Sequence, residues 1–264
     1  MSAPRFYCPP DAVTLAPGAR FALPDALARH AVRVLRLPPG ATLTLFDGTG
    51  GEYPATIEHI DREQVRVALG QHSGRESESP LHVTLAQALQ AADKMDYTLQ
   101  KAVELGVNVI QPLSSRRSVV KLDGERAAKR GAHWQGVVTS ACEQCGRNQV
   151  PVVAPVLPLP NWLGQLAGTP PAAGHPPPLR LMLALGATRT LHDVLPASAA
   201  GSLPLAIILL VGAEGGLDPQ EISMAEQAGF IAIRLGPRIL RTETAGLAAI
   251  AAMQTLWGDF VRKC

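Results

Sequence analysis

Apolar and polar residues alternate with period two in two short stretches near the start of the chain, 41–46 (Ala-Thr-Leu-Thr-Leu-Phe) and 64–68 (Gln-Val-Arg-Val-Ala). That period belongs to strands with one buried face. Residues 47–51 (Asp-Gly-Thr-Gly-Gly) separate the first stretch from a further strand-like run at 52–57, which predicts a hairpin. Residues 26–37 have the pattern of a short helix and stop at Pro38-Pro39-Gly40. A polar, turn-rich segment at 71–80 then reads as an interdomain linker. The prediction for residues 1–72 is a small β-barrel with one helix.

Beyond the linker the pattern changes to alternating strands and helices. Strands are predicted at 81–85, 107–112, 179–185, 205–211 and 231–235, and helices at 94–105, 125–143 and 242–257. The strands at 179–185 and 205–211 are apolar almost throughout, as strands covered on both faces are. Asp218-Pro-Gln-Glu221 supplies an N-cap, a proline at the first helical position and an acid three residues after the cap. This alternation predicts an α/β domain over residues 80–264, with a mostly parallel sheet and helices on both faces. The Pro-rich run at 168–178 reads as an exposed loop within it.

Composition narrows the class. The 264 residues are 47% hydrophobic, which suffices for a sizeable core, and the formal net charge of +2 does not by itself announce a nucleic-acid binder. Cys8, Cys142, Cys145 and Cys264 are too irregularly spaced for a secreted disulfide framework. The first ten residues lack an apolar signal core and no run is long enough to span a bilayer, so a cytoplasmic protein is expected. Cys142 and Cys145 form a lone pair where a structural zinc wants four ligands, so they are expected to pack and no metal is expected.

Two loops carry the candidate chemistry. Residues 211–217 (Val-Gly-Ala-Glu-Gly-Gly-Leu) lie between a buried strand and a capped helix, where open α/β sheets bind ligands. No Gly-Lys-Ser/Thr follows and the glycine spacing is not that of a dinucleotide fingerprint. Glu214 argues against a phosphate and suits a ligand with hydroxyls or positive charge; a tight turn without a ligand is the plain alternative. Residues 235–245 (Leu-Gly-Pro-Arg-Ile-Leu-Arg-Thr-Glu-Thr-Ala) also join a strand end to a helix N-terminus. Ile239 and Leu240 there could wall a pocket for a flat base, with Arg238 and Arg241 beside it.

Together these two loops resemble the cofactor signature of SPOUT-class methyltransferases, and more narrowly the RsmE family, which methylates N3 of a uridine in 16S rRNA. Ala213 departs from the family's usual proline. Residues 94–107, 125–130 and 140–148, with 30–36 and 46–53 near the N-terminus, match the same family, so the resemblance spans nearly the whole chain. It implies a PUA-like barrel, a trefoil-knotted SPOUT domain, a homodimer, and S-adenosyl-L-methionine as cofactor. The implied cofactor contacts are Leu185, Gly186, Val211, Gly212, Glu214, Gly215, Gly216, Leu235, Gly236, Ile239, Leu240, Arg241, Thr244 and Ala245. Rival readings are a SPOUT 2′-O-ribose methyltransferase on rRNA or tRNA, and a non-catalytic RNA-binding assembly factor.

Uracil N3–H is a weakly acidic imide, so its methylation needs a displaced base and loss of a proton. Positive charge near O2 and O4 would stabilise the forming imidate, a role that falls to Arg241 with Arg238 second. Glu243 is the candidate proton acceptor or arginine orienter, and Glu143 another carboxylate that could reach; favouring the helix N-terminus electrostatically is the plainer role for Glu243. For RNA, residues Arg5, Arg20, Arg29, His30, Arg33 and Arg36 are the candidates, with Arg29, Arg33 and Arg36 on one helix face. Arg116, Arg117 and Lys121 could extend that surface into the second domain.

Overall fold

The computed structural model describes residues 3–62, 64–168, 176–194 and 206–260. Most of the Pro-rich 168–178 run, the first residue of the strand expected at 205–211, and Cys264 lie outside them. The chain forms two compact units. One holds the described residues up to Glu78 together with Cys142–Val150, and the other holds Ser79–Ala141 and the described residues from Pro151 on. Residues 142–150, on the far side of the linker in sequence, are thus part of the first unit.

The first unit is a five-stranded sheet built from β1 (Arg5–Tyr7), β2 (Arg20–Ala22), β3 (Thr42–Phe46), β4 (Tyr53–Asp61) and β5 (Gln64–Leu69), in the order β1-β3-β4-β5-β2. Burial alternates along β5, where Val65 and Val67 point inward and Gln64 and Arg66 outward. Phe6, Leu43, Leu45, Ile57, Val65 and Val67 form its core, with Ala28 and Ala31 packed on them. The latter two come from α1 (Asp25–Arg29) and the single π-turn His30–Val34 that continues it. The regular helix expected over 26–37 is therefore not formed. Leu35 N–H closes on the His30 carbonyl and Leu37 N–H on that of Ala31, with Arg36 left-handed at φ +53°, as residues just past helix ends commonly are. This overturns the single-face stripe, because Arg36 follows no helical spacing from Arg29 and Arg33.

The second unit holds a seven-stranded sheet whose strand pairs are all parallel. Its strands are β6 (His82–Ala88), β7 (Val107–Ser114), β8 (Val152–Val153), β9 (Leu157–Pro158), β10 (Leu179–Leu183), β11 (Ala206–Val211) and β12 (Ile231–Ile233). The order is β12-β10-β11-β6-β7-β8, with β9 also on β7. β11 is buried from Ile207 onward, as the unbroken apolar run requires. The helices are α2 (Ala92–Glu104), α3 (Gly124–Cys145), which counts with this unit as far as Ala141, α4 (Leu159–Gly168), α5 (Pro219–Gln227) and α6 (Thr242–Trp257). Asp218 caps α5 by accepting from Gln220 N at 2.9 Å, and Glu221 closes the capping box. Because β10, β11 and β12 run parallel and adjacent, their carboxyl ends converge, and the segments that follow each of them meet there. No described helix is long and apolar enough to cross a membrane.

Candidate functional site

The loop after β11 turns back on itself within five residues. Gly216 N–H donates to the Ala213 carbonyl at 2.8 Å with Gly216 at φ +70°, a left-handed backbone that glycine adopts without strain. At Gly212 the constraint is space: a Cβ there would lie 2.8 Å from the carbonyl carbon of Gly216 and 2.9 Å from Leu217 N. The loop after β12 begins with Arg234 N–H bonded to the Arg189 carbonyl at 2.9 Å, turns at Gly236 with φ +79°, and ends at Arg241, the N-cap of α6.

These loops and the end of β10 enclose a cavity of about 560 Å³, within the range of small-molecule sites. Leu185, Val211, Gly212, Glu214, Gly215, Gly216, Leu235, Gly236, Ile239, Leu240, Arg241 and Ala245 all line it, as do Arg238 and Glu243. Gly186 and Thr244, named with them from sequence, are not among the lining residues. Leu185 and Ile239, two large apolar side chains of the lining, are 75% and 80% exposed among the described residues.

Three features of the wall are not apparent from the sequence pattern. Lys94, in the first turn of α2, lines the cavity with its ammonium 3.8 Å from Glu243 and 4.0 Å from Glu214. One cation thus faces both carboxylates, while Glu243 Oε2 is buried with no hydrogen-bond partner among the described residues. Thr242 Oγ1 donates to the Gly212 carbonyl at 2.5 Å and accepts from Gln87 Nε2 at 3.3 Å and Gln90 Nε2 at 3.2 Å. Gln90 in turn accepts from Thr98 Oγ1 at 3.0 Å. This buried network pins the start of α6 to the glycine loop and to α2. Finally, Arg234 joins Arg238 and Arg241 on the wall. The guanidinium groups of these three arginines are exposed and have no hydrogen-bond or ion-pair partner among the described residues. Polar residues one turn into a helix that follows a strand end were the available signal for Lys94; nothing in the local pattern marks Gln87 or Gln90.

The remaining candidates fall in the first unit. Arg5 is largely buried: it pairs with Glu52, donates to Asn148 Oδ1 at 2.6 Å and lies over the Phe46 ring. Its charge is therefore spent inside the unit. Arg20 pairs with Glu58 at 2.9 Å on the surface. His30 packs edge-on against Phe6, while Arg29, Arg33 and Arg36 are exposed. Glu143 accepts from Tyr7 N–H at 2.9 Å, away from the cavity lining. Burial raises its pKa, opposed by that hydrogen bond and by the charges of His30 and Arg5. Burial likewise pushes the Cys8 thiol up to about 11 and that of Cys142 to about 12. Cys142 packs in the interior, and no group of three or more metal-ligating side chains occurs among the described residues.

Comparison with known proteins agrees with this arrangement. Residues 77–254 match the RNA methyltransferase domain family, and residues 23–69 the RNA methyltransferase PUA domain. The ribosomal RNA small subunit methyltransferase E of Buchnera aphidicola is 34% identical over 241 residues, 90% of this chain and 91% of that protein. The crystal structure of the enzyme of that name from Neisseria gonorrhoeae, bound to S-adenosyl methionine, is 44% identical with a TM-score of 0.85. It aligns over 98% of this chain and 100% of its own. A putative methyltransferase from Legionella pneumophila in complex with the same cofactor is 35% identical, with a TM-score of 0.87 and coverage of 98% and 100%. On the shared fold, the match along nearly its whole length and the pocket at its strand ends, the chain belongs to the ribosomal RNA small subunit methyltransferase E family.

Proposed function

We propose that this protein methylates N3 of a uridine in 16S rRNA of the small ribosomal subunit, using S-adenosylmethionine. The observation that carries the reading is the cavity at the ends of β10, β11 and β12, which gathers both signature loops in one wall. The donor set fits that cofactor. Gly212 and Gly216 let the backbone approach closely, Ile239 and Leu240 offer apolar surface to a flat ring, and Glu214 offers an acceptor for hydroxyls or a cationic amine. Bound there, the cofactor supplies an electrophilic methyl group.

The protein's own part is to present the uracil and manage its charge. Arg241 lines the cavity with Arg238 and Arg234, and its role in this reading is to put positive charge beside the imidate as it develops. Of the two carboxylates in the wall, Glu243 is assigned to accept the N3 proton or hold an arginine, with Lys94 beside it to balance its charge. The unpaired arginines of the rim also suit flanking phosphates. The first unit is read as a PUA-like barrel that binds RNA through Arg29, His30, Arg33 and Arg36, and the second as a SPOUT domain. The trefoil knot implied by the family resemblance is part of this reading of the second unit, in which Thr242 bonds the start of α6 to Gly212. Assembly as a homodimer and a cytoplasmic location complete the reading.

The test is transfer of labelled methyl groups to undermethylated small subunits and, separately, to naked 16S rRNA, with nucleoside analysis by mass spectrometry. The expected product is 3-methyluridine. Methylated ribose, or no transfer to either substrate, would refute the proposal.

A further inference from the structure

The consecutive arginines after β7 do not project freely from the surface. Arg117 Nη1 donates to the Gly215 carbonyl at 2.7 Å. Its methylene stem lies against the same glycine, since a Cβ added at Gly215 would sit 3.3 Å from Arg117 Cβ and Cδ. Arg116 is tied to the far end of the glycine loop: its N–H donates to Glu221 Oε1 at 2.8 Å and its guanidinium to Asp218 Oδ1 at 3.3 Å. The second Glu221 oxygen accepts from Asp218 N–H at 2.9 Å. One buried carboxylate therefore bridges the backbones of two loops. The anchor segment is itself braced, with the Ser115 and Ser118 hydroxyls 2.9 Å apart and Lys121 Nζ on the Ser115 carbonyl at 3.0 Å.

A loop containing Gly212, Gly215 and Gly216 has few side chains with which to hold its own shape, and ordering it on ligand binding weakens affinity. Here that ordering is supplied from outside. Gly215 and its neighbours line the cavity, whereas Arg116 and Arg117 do not. The Arg117–Gly215 bond is charge-assisted, the stronger class of hydrogen bond. We propose that Arg117 is a positioning residue for the cofactor, a latch that sets the glycine loop in its binding shape before the cofactor arrives. This rests on reading the cavity as the S-adenosylmethionine site. It also reassigns Arg117, which the sequence had suggested for the RNA surface.

The experiment measures S-adenosylmethionine affinity by calorimetry, together with RNA affinity as a function of salt, for the wild type, Arg117→Met and Arg117→Lys. Arg117→Met should weaken cofactor binding by about tenfold and raise KM for the cofactor, with kcat at saturation reduced less than about twofold. Arg117→Lys should recover part of the affinity, and the salt slope of RNA binding should stay that of the wild type. Gly215→Ala should reproduce the defect by displacing the Arg117 stem, and should add less than its single-variant effect in an Arg117→Ala background, where only the Cβ of that stem remains. Unchanged cofactor affinity in a folded Arg117→Met protein would overturn the latch. So would a salt slope lower by about one, which marks a phosphate contact instead. Failure of the wild type to bind the cofactor would instead overturn the assignment of the cavity.

Discussion

At Gly212 the geometry leaves no room for a side chain, and the consequence can be measured directly. Gly212→Ala drives a methyl group into the Gly216–Leu217 backbone, which cannot yield as a flexible side chain would. We expect a cost of about 1–3 kcal/mol in stability, seen as a lower melting temperature, and loss of cofactor binding by calorimetry. Lys94 poses the opposite case. Its two carboxylate contacts are partly exposed and long, so Lys94→Met should barely change the melting temperature. Methyl transfer should nevertheless fall by at least about tenfold, as for the removal of other groups that govern charge during proton transfer; a wild-type rate would remove Lys94 from the site. Burial also leaves Cys8 and Cys142 as thiols at pH 8, and a thiol is a poor nucleophile. Both should resist iodoacetamide in the native protein and react once it is denatured, with mass spectrometry as the readout.

Elements differ in how far their sequence specified them. α6 and the described part of β11 were readable, from a long run of small apolar helix formers and from a continuous apolar run. The two signature loops followed from their places at strand ends, and the structure gathers nearly all their named residues around one cavity. The short strands β1, β2, β8 and β9 had no legible pattern, since two or three residues cannot display a period. The π-turn at His30–Val34 was hidden for a different reason: helix and π-turn share composition and differ in which carbonyl each N–H selects. Lys94 and the Gln87–Thr242–Gln90 network depend on contacts between segments remote in sequence. The altered turn still leaves Arg29 and Arg33 exposed. Replacing either by alanine should lower the salt slope of RNA binding by about one, while Arg5→Ala should chiefly destabilise the fold through the loss of its pairing with Glu52 and Asn148.

For the molecule as a whole, Glu143 offers a handle on stability. Its carboxyl has a raised pKa in the folded state, so the folded protein holds that proton more tightly than the unfolded chain does. The associated stability is present in acid and is lost as pH rises through the folded-state value. Glu143→Gln keeps an acceptor for Tyr7 N–H and removes the buried charge. The variant should therefore melt above the wild type near pH 7, with the advantage fading as pH falls through the ordinary carboxylate range; a pH-independent difference would rule out this account.

Residues 142–150 belong with the N-terminal unit although more than sixty residues of the other unit precede them. Arg147 pairs with Glu78 at 2.5 Å, Asn148 takes the Arg5 guanidinium, and Glu143 takes the Tyr7 N–H. During synthesis, domains generally fold as units with the N-terminal one first, but here the first unit lacks these partners until residue 150 has left the ribosome. Its completion must therefore wait until more than sixty residues of the second unit have also been made, so the first unit cannot close before synthesis of the second is under way.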